Sequence, residues 1–523
     1  MIKIEDTKLL KKEVVYEKLL EYGFFSEKLT AIFQSKEFGK WVRKAGIKTH
    51  KKGIFSSVKY RLIRNNNASR IIEIPHPIAY FRLCEEIKQN WGKIINKIGE
   101  IDDYAKRSMI IPKPNNVNGR LVTMMPYDTK KNEKFLILDK SFGKKYFVHV
   151  DIANCYPSIY SHSIAWALVG HREAKEHTSE KDLWYNKIDI AVRSMQRNET
   201  IGIPIGPDTS SVICELILSR IDKELEKYKY LRFIDDYKCY CKSKDEADEF
   251  ILKVSKELEK YNLRLNPKKT QIVELPIAIS QDWVRVLKEY SSQFLGKKEY
   301  ADKDINTLSA FIDLSIRLFN ENPDESPIKY AVRILSKKIY IEEKVFGYLL
   351  MYLSRICFIY PYFIDVFDKI LSRNKKYINE NILKILEDEI NSIMKEHLKF
   401  SHSNVALWGL KLAKKYSFKI QEFEDYTNKL IAERDCLPTL MCYEYAKAKK
   451  LSVIKFFKLI EVLKGEKLED EWWIYIYQLY KERPNKPEFK SINYKAFYEE
   501  MRKADITFLR RSKKKKKKSG KKK

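Results

Sequence analysis

Long apolar runs, paired cysteines and acidic charge are all scarce in this chain of 523 residues. The densest apolar stretch, residues 356–364, is about half the length of a membrane span and contains a proline. The first residues, MIKIEDTKLLKK, lack the apolar centre of a secretory signal. The eight cysteines are scattered without any C-x-x-C pair, so neither a disulfide framework nor a zinc ribbon is indicated. These absences predict a soluble protein of a reducing cytoplasm, with no membrane partner.

The shortage of acid leaves a formal net charge of +30, from 101 Lys and Arg against 71 Asp and Glu. The last residues, 510–523, hold 11 basic side chains and no acid, so the rest of the chain carries +19 (30 − 11). A basic body of this size usually binds a polyanion, most often nucleic acid. A Lys-rich bacterial composition is the alternative explanation. The tail is predicted to be disordered, whether native or an artificial addition.

The spacing of apolar residues changes twice along the chain. Residues 1–54 show helical spacing of apolar positions. Residues 55–290 alternate short β-rich runs with helical ones, as in an α+β domain. Residues 300–509 show helical spacing only, in lengths typical of stacked helical hairpins. The predicted fold class is therefore α+β followed by an all-α, solenoid-like repeat domain.

Two acidic segments stand out against this basic background. Asp151 ends the β-rich run YFVHV, and Asp235 and Asp236 lie between two short β-rich runs in LRFIDDYKCYC. Aspartates are common at turns because they bond nearby backbone amides, which is the simpler reading of the pair. If the first run pairs with the second segment, three carboxylates converge. Such a cluster in a basic protein suits Mg²⁺, which takes a few carboxylates together with substrate phosphates.

The order of four segments gives a family resemblance. VDIANCYPSIY (150–160), GIPIGPDTSSVICELILSRID (202–222), FIDD (233–236) and LRLNPKKTQI (263–272) resemble motifs A to D of the reverse transcriptases. The resemblance makes 55–290 the fingers and palm, preceded by a helical segment of the fingers. It implies a DNA polymerase that uses dNTPs and two Mg²⁺ ions, with Mn²⁺ as an alternative. Asp151, Asp235, Asp236 and the backbone of Ile152 would be the metal ligands.

Further site residues follow only from this resemblance. Tyr156 takes the position of the aromatic side chain that excludes a ribose 2′-hydroxyl. A lysine of the fourth motif would protonate the leaving pyrophosphate, and an arginine of the fingers would hold the triphosphate. The nucleotide-binding candidates are Gly202, Pro204 and Gly206 of the second motif, Lys268 or Lys269 of the fourth, and Arg120, with Arg70 and Lys113 as lesser choices.

Departures from the general pattern narrow the resemblance. Ile205 stands where the second motif usually has glutamine, and Phe233 replaces the usual tyrosine of the third. Helices follow the palm where a thumb is usual. The chain thus resembles the abortive-infection (Abi, AbiK-like) reverse transcriptases of bacterial antiphage defence. That group implies synthesis without a template, priming on a protein tyrosine, single-stranded DNA left covalently attached, homo-oligomers and a phage-encoded trigger.

Two rival functions stay open at this stage. A templated RNA-directed DNA polymerase of retron or diversity-generating type shares the motifs and differs in needing template RNA. A non-catalytic nucleic-acid-binding protein on a decayed polymerase fold would be expected to lack a metal carboxylate, and all three are present.

Overall fold

The fold is seen in a computed structural model, which has both backbone and side chains. The described residues are 10–47, 53–64, 68–101, 107–109, 119–121, 131–279, 281–293, 301–323, 326–336 and 342–510. Lys113, the predicted strand after Arg120 and the basic tail beyond Arg510 lie outside them.

The strands form two antiparallel sheets. The hairpin sheet pairs β1 (Val58–Ile63) with β2 (Ser69–Ile74). The palm sheet has the order β4-β5-β3-β6. Its strands are β3 (Tyr146–Asp151), β4 (Lys229–Phe233), β5 (Asp236–Cys241) and β6 (Gln271–Glu274). The β-rich run that ends at Asp151 therefore lies beside the segment that holds Asp235 and Asp236.

The palm sheet has two chemically distinct faces, because side chains alternate along each strand. Cross-strand pairing joins Val150 and Arg232 to Tyr237, so these three side chains share one face, which is buried. Asp151 pairs with Asp236, and His149 with Lys238, on the opposite face. The acidic side chains thus lie across the sheet from its apolar core.

Helices of the amino-terminal half surround these sheets. They are α1 (Lys12–Glu21), α2 (Lys36–Ala45), α3 (Pro77–Ile98), α4 (Lys131–Ser141), α5 (Cys155–Ser158), α6 (Ser163–Val169), α7 (His171–Glu176), α8 (Trp184–Arg193), α9 (Asp208–Glu224) and α10 (Lys244–Glu259). Helix α10 begins where the Ser243 hydroxyl accepts a hydrogen bond from the Glu246 amide, and it packs on β3 and β5. Helix α9 packs between α3 and α10, and its side chains are buried nearly all round.

No strand follows β6 within the described part of the chain. The helices there are α11 (Asp282–Ser292), α12 (Ile305–Glu321), α13 (Pro327–Leu335), α14 (Glu343–Ile359), α15 (Ile364–Arg373), α16 (Glu380–Leu398), α17 (Ser403–Tyr416), α18 (Phe423–Ala432), α19 (Cys436–Ala448), α20 (Ile454–Val462), α21 (Glu466–Glu471), α22 (Trp473–Glu482) and α23 (Lys495–Lys503). One row runs α13-α15-α17-α19-α22, and a second runs α14-α16-α18 against it. The predicted α+β fold with an all-α array is confirmed, whereas the domain boundaries stay a prediction.

The helical array docks on the outer edge of β1. The Arg61 amide donates to the Ser403 hydroxyl at 3.0 Å, and the Ile63 amide donates to Asn404 Oδ1 at 3.1 Å. The end of the described chain returns to its beginning, where Phe33 forms a β-bridge with Leu509. Phe508 joins the buried rings of Phe24 and Trp473. Docking thus satisfies an edge strand that would otherwise be open to other chains.

Among the described residues, no helix combines the length and apolarity that crossing a bilayer requires.

Candidate active site

A two-residue turn brings the acidic pair to the end of the palm sheet. Phe233 pairs with Asp236 across the β4–β5 hairpin, which leaves Ile234 and Asp235 as the central turn residues. Asp236 is thus the first residue of β5, whereas the sequence had suggested that it lies in the turn. Ile234 has φ 60°, a left-handed conformation that is costly for a β-branched residue. The strain indicates that the turn is held in place by its surroundings.

The three predicted carboxylates lie together at this turn. Asp151 stands opposite Asp236 in the β3–β5 ladder, and the Ile152 amide donates to the Asp235 carbonyl at 3.1 Å. One carboxylate oxygen from each of Asp151, Asp235 and Asp236 lies within 4.8 Å of the others. The Ile152 carbonyl as a metal ligand stays a prediction.

The fourth motif holds Asp151 in place. The Asn266 side-chain amide donates to Asp151 Oδ1 at 2.9 Å, and Lys269 Nζ lies 3.1 Å from Oδ2. The Asn266 backbone amide donates to the Asp151 carbonyl at 2.7 Å. Asp151 is only 6% exposed, so these bonds fix the orientation of its carboxylate. Of the two candidate lysines, Lys269 is the one that contacts the acidic cluster.

The like charges of the cluster shift the pKa values of its carboxyl groups. Burial, followed by the charges of Asp236 and Asp151, raises the pKa of Asp235 to about 6. Burial acts in the same direction on Asp236, but the hydrogen bond from His149 at 3.1 Å and its charge lower the pKa of Asp236. A divalent cation would relieve this repulsion, and carboxylate oxygens are the ligands that Mg²⁺ prefers. The residues present therefore fit a magnesium site.

Tyr156 lies in the short helix α5, which follows Asp151 in the chain. Its hydroxyl lies 3.2 Å from the Ser211 hydroxyl of α9, and its backbone carbonyl accepts from the Ile203 amide. Burial raises the pKa of Tyr156, followed by the effect of Cys214, and Asp235 acts in the same direction. The ring is thus fixed between the first and second motifs and within electrostatic reach of Asp235. Its role in selecting the sugar stays a prediction.

The glycines of the second motif serve close packing within the protein. Gly202 has φ 90°, and a Cβ there would come 3.2 Å from the Pro157 carbonyl oxygen. Gly206 has φ 136°, and a Cβ would meet Ile72 Cγ2 at 3.0 Å. The two glycines therefore seat the loop on α5 and β2. Contact of Gly202, Pro204 and Gly206 with a nucleotide stays a prediction.

The two candidate arginines in the described ranges differ in their surroundings: Arg120 is bonded in the protein interior, whereas Arg70 interacts electrostatically with the acidic cluster. Arg120 is 8% exposed, pairs with Asp208 and donates to the Tyr22 and Phe25 carbonyls, both at 2.8 Å. This differs from the expected triphosphate ligand, because these bonds tie the guanidinium to the protein interior. Arg70 lies within electrostatic reach of Asp235, Tyr156 and Asp151. The lesser candidate is thus the better placed one.

A buried ion network beneath the turn has no counterpart in the sequence predictions. Arg232 is 0% exposed, with NH2 2.7 Å from Asp222 Oδ2 and NH1 3.1 Å from Glu215 Oε2. Its NH1 also donates to the Ile234 carbonyl at 2.9 Å. The Ser108 hydroxyl donates to Glu215 at 2.6 Å. The sequence shows an arginine close to the acidic pair, but it does not show that acidic side chains of α9 are its partners.

Comparison with known proteins agrees with this geometry. Residues 88–298 match the family model "Reverse transcriptase (RNA-dependent DNA polymerase)", whereas no curated protein matches the chain. Among solved structures it is similar to apo telomerase from Candida tropicalis truncated from its C-terminal domain, at 14% identity and TM-score 0.29, covering 46% of this chain and 55% of that one. The apo telomerase without that truncation gives 14% identity and TM-score 0.32 over 72% and 74%. These TM-scores are too low to support any conclusion about function. The motifs and the carboxylate cluster lie within residues 88–298, the part of the chain that matches the reverse transcriptase family model.

Proposed function

We propose that the chain is a metal-dependent nucleotidyltransferase that joins deoxynucleotides at Asp151, Asp235 and Asp236. The observation that carries the proposal is the approach of these three carboxylates to within 4.8 Å at the end of the palm sheet of a reverse transcriptase domain. Two bound Mg²⁺ ions, or Mn²⁺ in their place, would activate the attacking hydroxyl and stabilise the leaving pyrophosphate.

The chain's own residues divide the remaining tasks. Asn266 and Lys269 hold the Asp151 carboxylate, and His149 holds that of Asp236. Lys269 is half-exposed and can reach solvent, so we assign it, before Lys268, the transfer of a proton to the departing pyrophosphate. Arg70 is assigned to the triphosphate because a guanidinium matches phosphate oxygens and this one lies within electrostatic reach of Asp235 and Asp151.

The finer proposal is an abortive-infection enzyme that needs no template. The support is Ile205, whose side chain packs against the apolar core where a template-positioning amide would be expected, and whose carbonyl accepts from the Glu73 amide at 2.9 Å. By its resemblance, such an enzyme would start from a tyrosine hydroxyl, keep its DNA attached, act as a homo-oligomer in the bacterial cytoplasm and respond to a phage. The alternative is templated synthesis of retron or diversity-generating type.

The test incubates the pure protein with each dNTP and Mg²⁺ in the absence of nucleic acid, then digests the product with protease or DNase. DNase-sensitive mass that stays on the protein supports the finer proposal. Incorporation that appears only with added RNA supports the templated alternative and refutes template independence.

The catalytic assignment is tested with Asp235→Asn against the matched control Asp245→Asn, an exposed aspartate at the start of α10. Incorporation should fall by at least about 10³-fold in the first variant and stay unchanged in the second. The Asp235→Asn protein should melt no earlier than the parent in EDTA, because the substitution relieves like-charge crowding. Full activity of Asp235→Asn would refute the site.

A further inference from the structure

A row of cations leads from the carboxylates towards the helical array. Arg64 and Arg70 flank the turn between β1 and β2, and Lys28 lies in the loop after α1. That loop reaches β2 because a Cβ on Gly206 would lie 3.1 Å from Ser26 Cβ and 3.0 Å from Ile72 Cγ2. Lys329, in α13, joins them from the helical array: its Nζ donates to the Tyr362 carbonyl, and the segment 361–363 contacts β1. Three separate parts of the chain thus supply one basic surface.

The cations of this row are poorly compensated within the protein. The charged side chains of Lys28, Arg64 and Arg70 make no ion pair and no hydrogen bond with any residue in the described ranges. Lys329 alone is paired, with Asp365 at 2.8 Å and the Tyr362 carbonyl at 2.9 Å. Converging like charges cost free energy unless an opposite charge joins them. The arrangement therefore calls for an anion from outside the chain.

The electrostatics of these side chains agree with their proximity. Burial lowers the pKa of Lys28 to about 8, and the charges of Arg70, Lys329 and Arg64 act in the same direction. Burial and the charge of Arg64 lower the pKa of Arg70, while Asp235 and Asp151 oppose this. Arg70 therefore marks the end of the row near the carboxylates, and Lys28 and Lys329 extend it beyond the reverse transcriptase motifs.

We propose that Lys28, Arg64 and Lys329 extend Arg70 into a phosphate-binding row shared by the amino-terminal segment, the β1–β2 hairpin and the helical array. The row binds the phosphate groups of a ligand whose reactive end lies at Asp151 and Asp235. It relies on the proposed function only for the identity of that ligand, which is either the triphosphate of a nucleotide or the backbone of a nucleic acid strand. The helical array then takes a direct part in substrate binding.

The experiment measures binding without metal, so that no incorporation takes place. Inorganic tripolyphosphate is titrated by calorimetry, and a fluorescein-labelled oligo-dT by anisotropy at several salt concentrations, both in EDTA. The variants are Lys28→Gln, Arg64→Gln and Lys329→Gln. Lys503→Gln is the charge-matched control, since its side chain is 73% exposed and belongs to α23, which contributes no cation to the row. Lys28 is the principal variant because its side chain has no bonded partner among the described residues.

Each substitution in the row should weaken binding about 10-fold, as expected for one charge-assisted bond, while the control stays unchanged. If the ligand is a strand, the oligo-dT is the probe that weakens, and its log K against log salt slope falls by about 0.7 per cation. If the ligand is a triphosphate, tripolyphosphate is the probe that weakens. Both outcomes support the row and separate its two phosphate sources.

Equal affinities of the parent and all three variants for both probes would overturn the proposal, as would failure of the parent to bind either probe. The Asp235→Asn protein should bind at least as tightly as the parent, because the substitution removes a negative charge near the bound phosphates. If the Asp235→Asn protein binds the probes but the parent incorporates no dNTP, the proposed function is refuted and the phosphate-binding row is still supported.

Discussion

Arg232→Met should unfold the palm and displace its catalytic turn, and the two effects can be separated. The substitution keeps the length of the side chain but leaves Glu215 and Asp222 as buried charges without their cation. Burial raises the pKa of Asp222, and the Arg232 charge opposes that shift, so the pair is balanced only while the arginine is present.

The size of the effect follows from the contacts. Removing one partner from a buried ion network costs about 3–5 kcal/mol. Losing the hydrogen bond to the Ile234 carbonyl costs about 1–2 kcal/mol more. Since folded proteins are stable by about 5–15 kcal/mol, Arg232→Met should be severely destabilised.

The compensated variant combines Arg232→Met with Glu215→Gln and Asp222→Asn. Neutral replacements of a buried network are often tolerated, so most of the lost stability should return. The turn carbonyl still lacks its donor, and a displacement near 1 Å at a reacting centre costs about 10²-fold in rate. We therefore expect a folded protein with low activity and a higher Mg²⁺ requirement.

Urea unfolding measures the free energy of unfolding. The rate of dNTP incorporation across a Mg²⁺ titration reports whether the turn still holds the carboxylates in position. Recovered stability without recovered activity supports a positioning role for Arg232. Two results would refute the reasoning. One is a triple variant as unstable as Arg232→Met, and the other is a triple variant with full activity at the parent's Mg²⁺ requirement.

Three further predictions address single residues. Tyr156→Ala should raise ribonucleotide incorporation relative to deoxynucleotide by about 10–100-fold, measured as a ratio of kcat/KM, and an unchanged ratio would exclude a sugar-selecting role. Lys269→Gln should slow incorporation at least about 10-fold whereas Lys268→Gln should not, and equal effects in single-turnover assays would contradict the assignment. Asp435 is 2% exposed, and burial raises its pKa to about 7, so the folded state holds a proton that the unfolded state loses above pH 4. Stability should thus fall by up to about 4 kcal/mol between pH 4 and 7, and Asp435→Asn should flatten that dependence in urea titrations.

The sequence could predict the acidic cluster because its three residues stand at strand ends, and the resemblance of the four ordered motifs to those of the reverse transcriptases indicates that these strands pair. It could not predict the burial of Arg120, since the pairing with Asp208 joins segments far apart in the chain. The sequence pattern did not indicate β1, because VKYRLI mixes charged and apolar residues. The outer edge of this strand is bonded to the helical array, a contact that the local sequence does not reveal. Lys28 and Lys329 belong to no polymerase motif, and only the folded chain brings them near Arg70.

The bridge between Phe33 and Leu509 joins two segments that lie far apart in the chain. During synthesis on a ribosome, the segment around Phe33 must wait until residue 509 has emerged before it meets its native strand partner. The rings of Phe24, Trp473 and Phe508 can therefore close only after this late segment has been made. A polypeptide cut short before Phe508 would leave this aromatic cluster open.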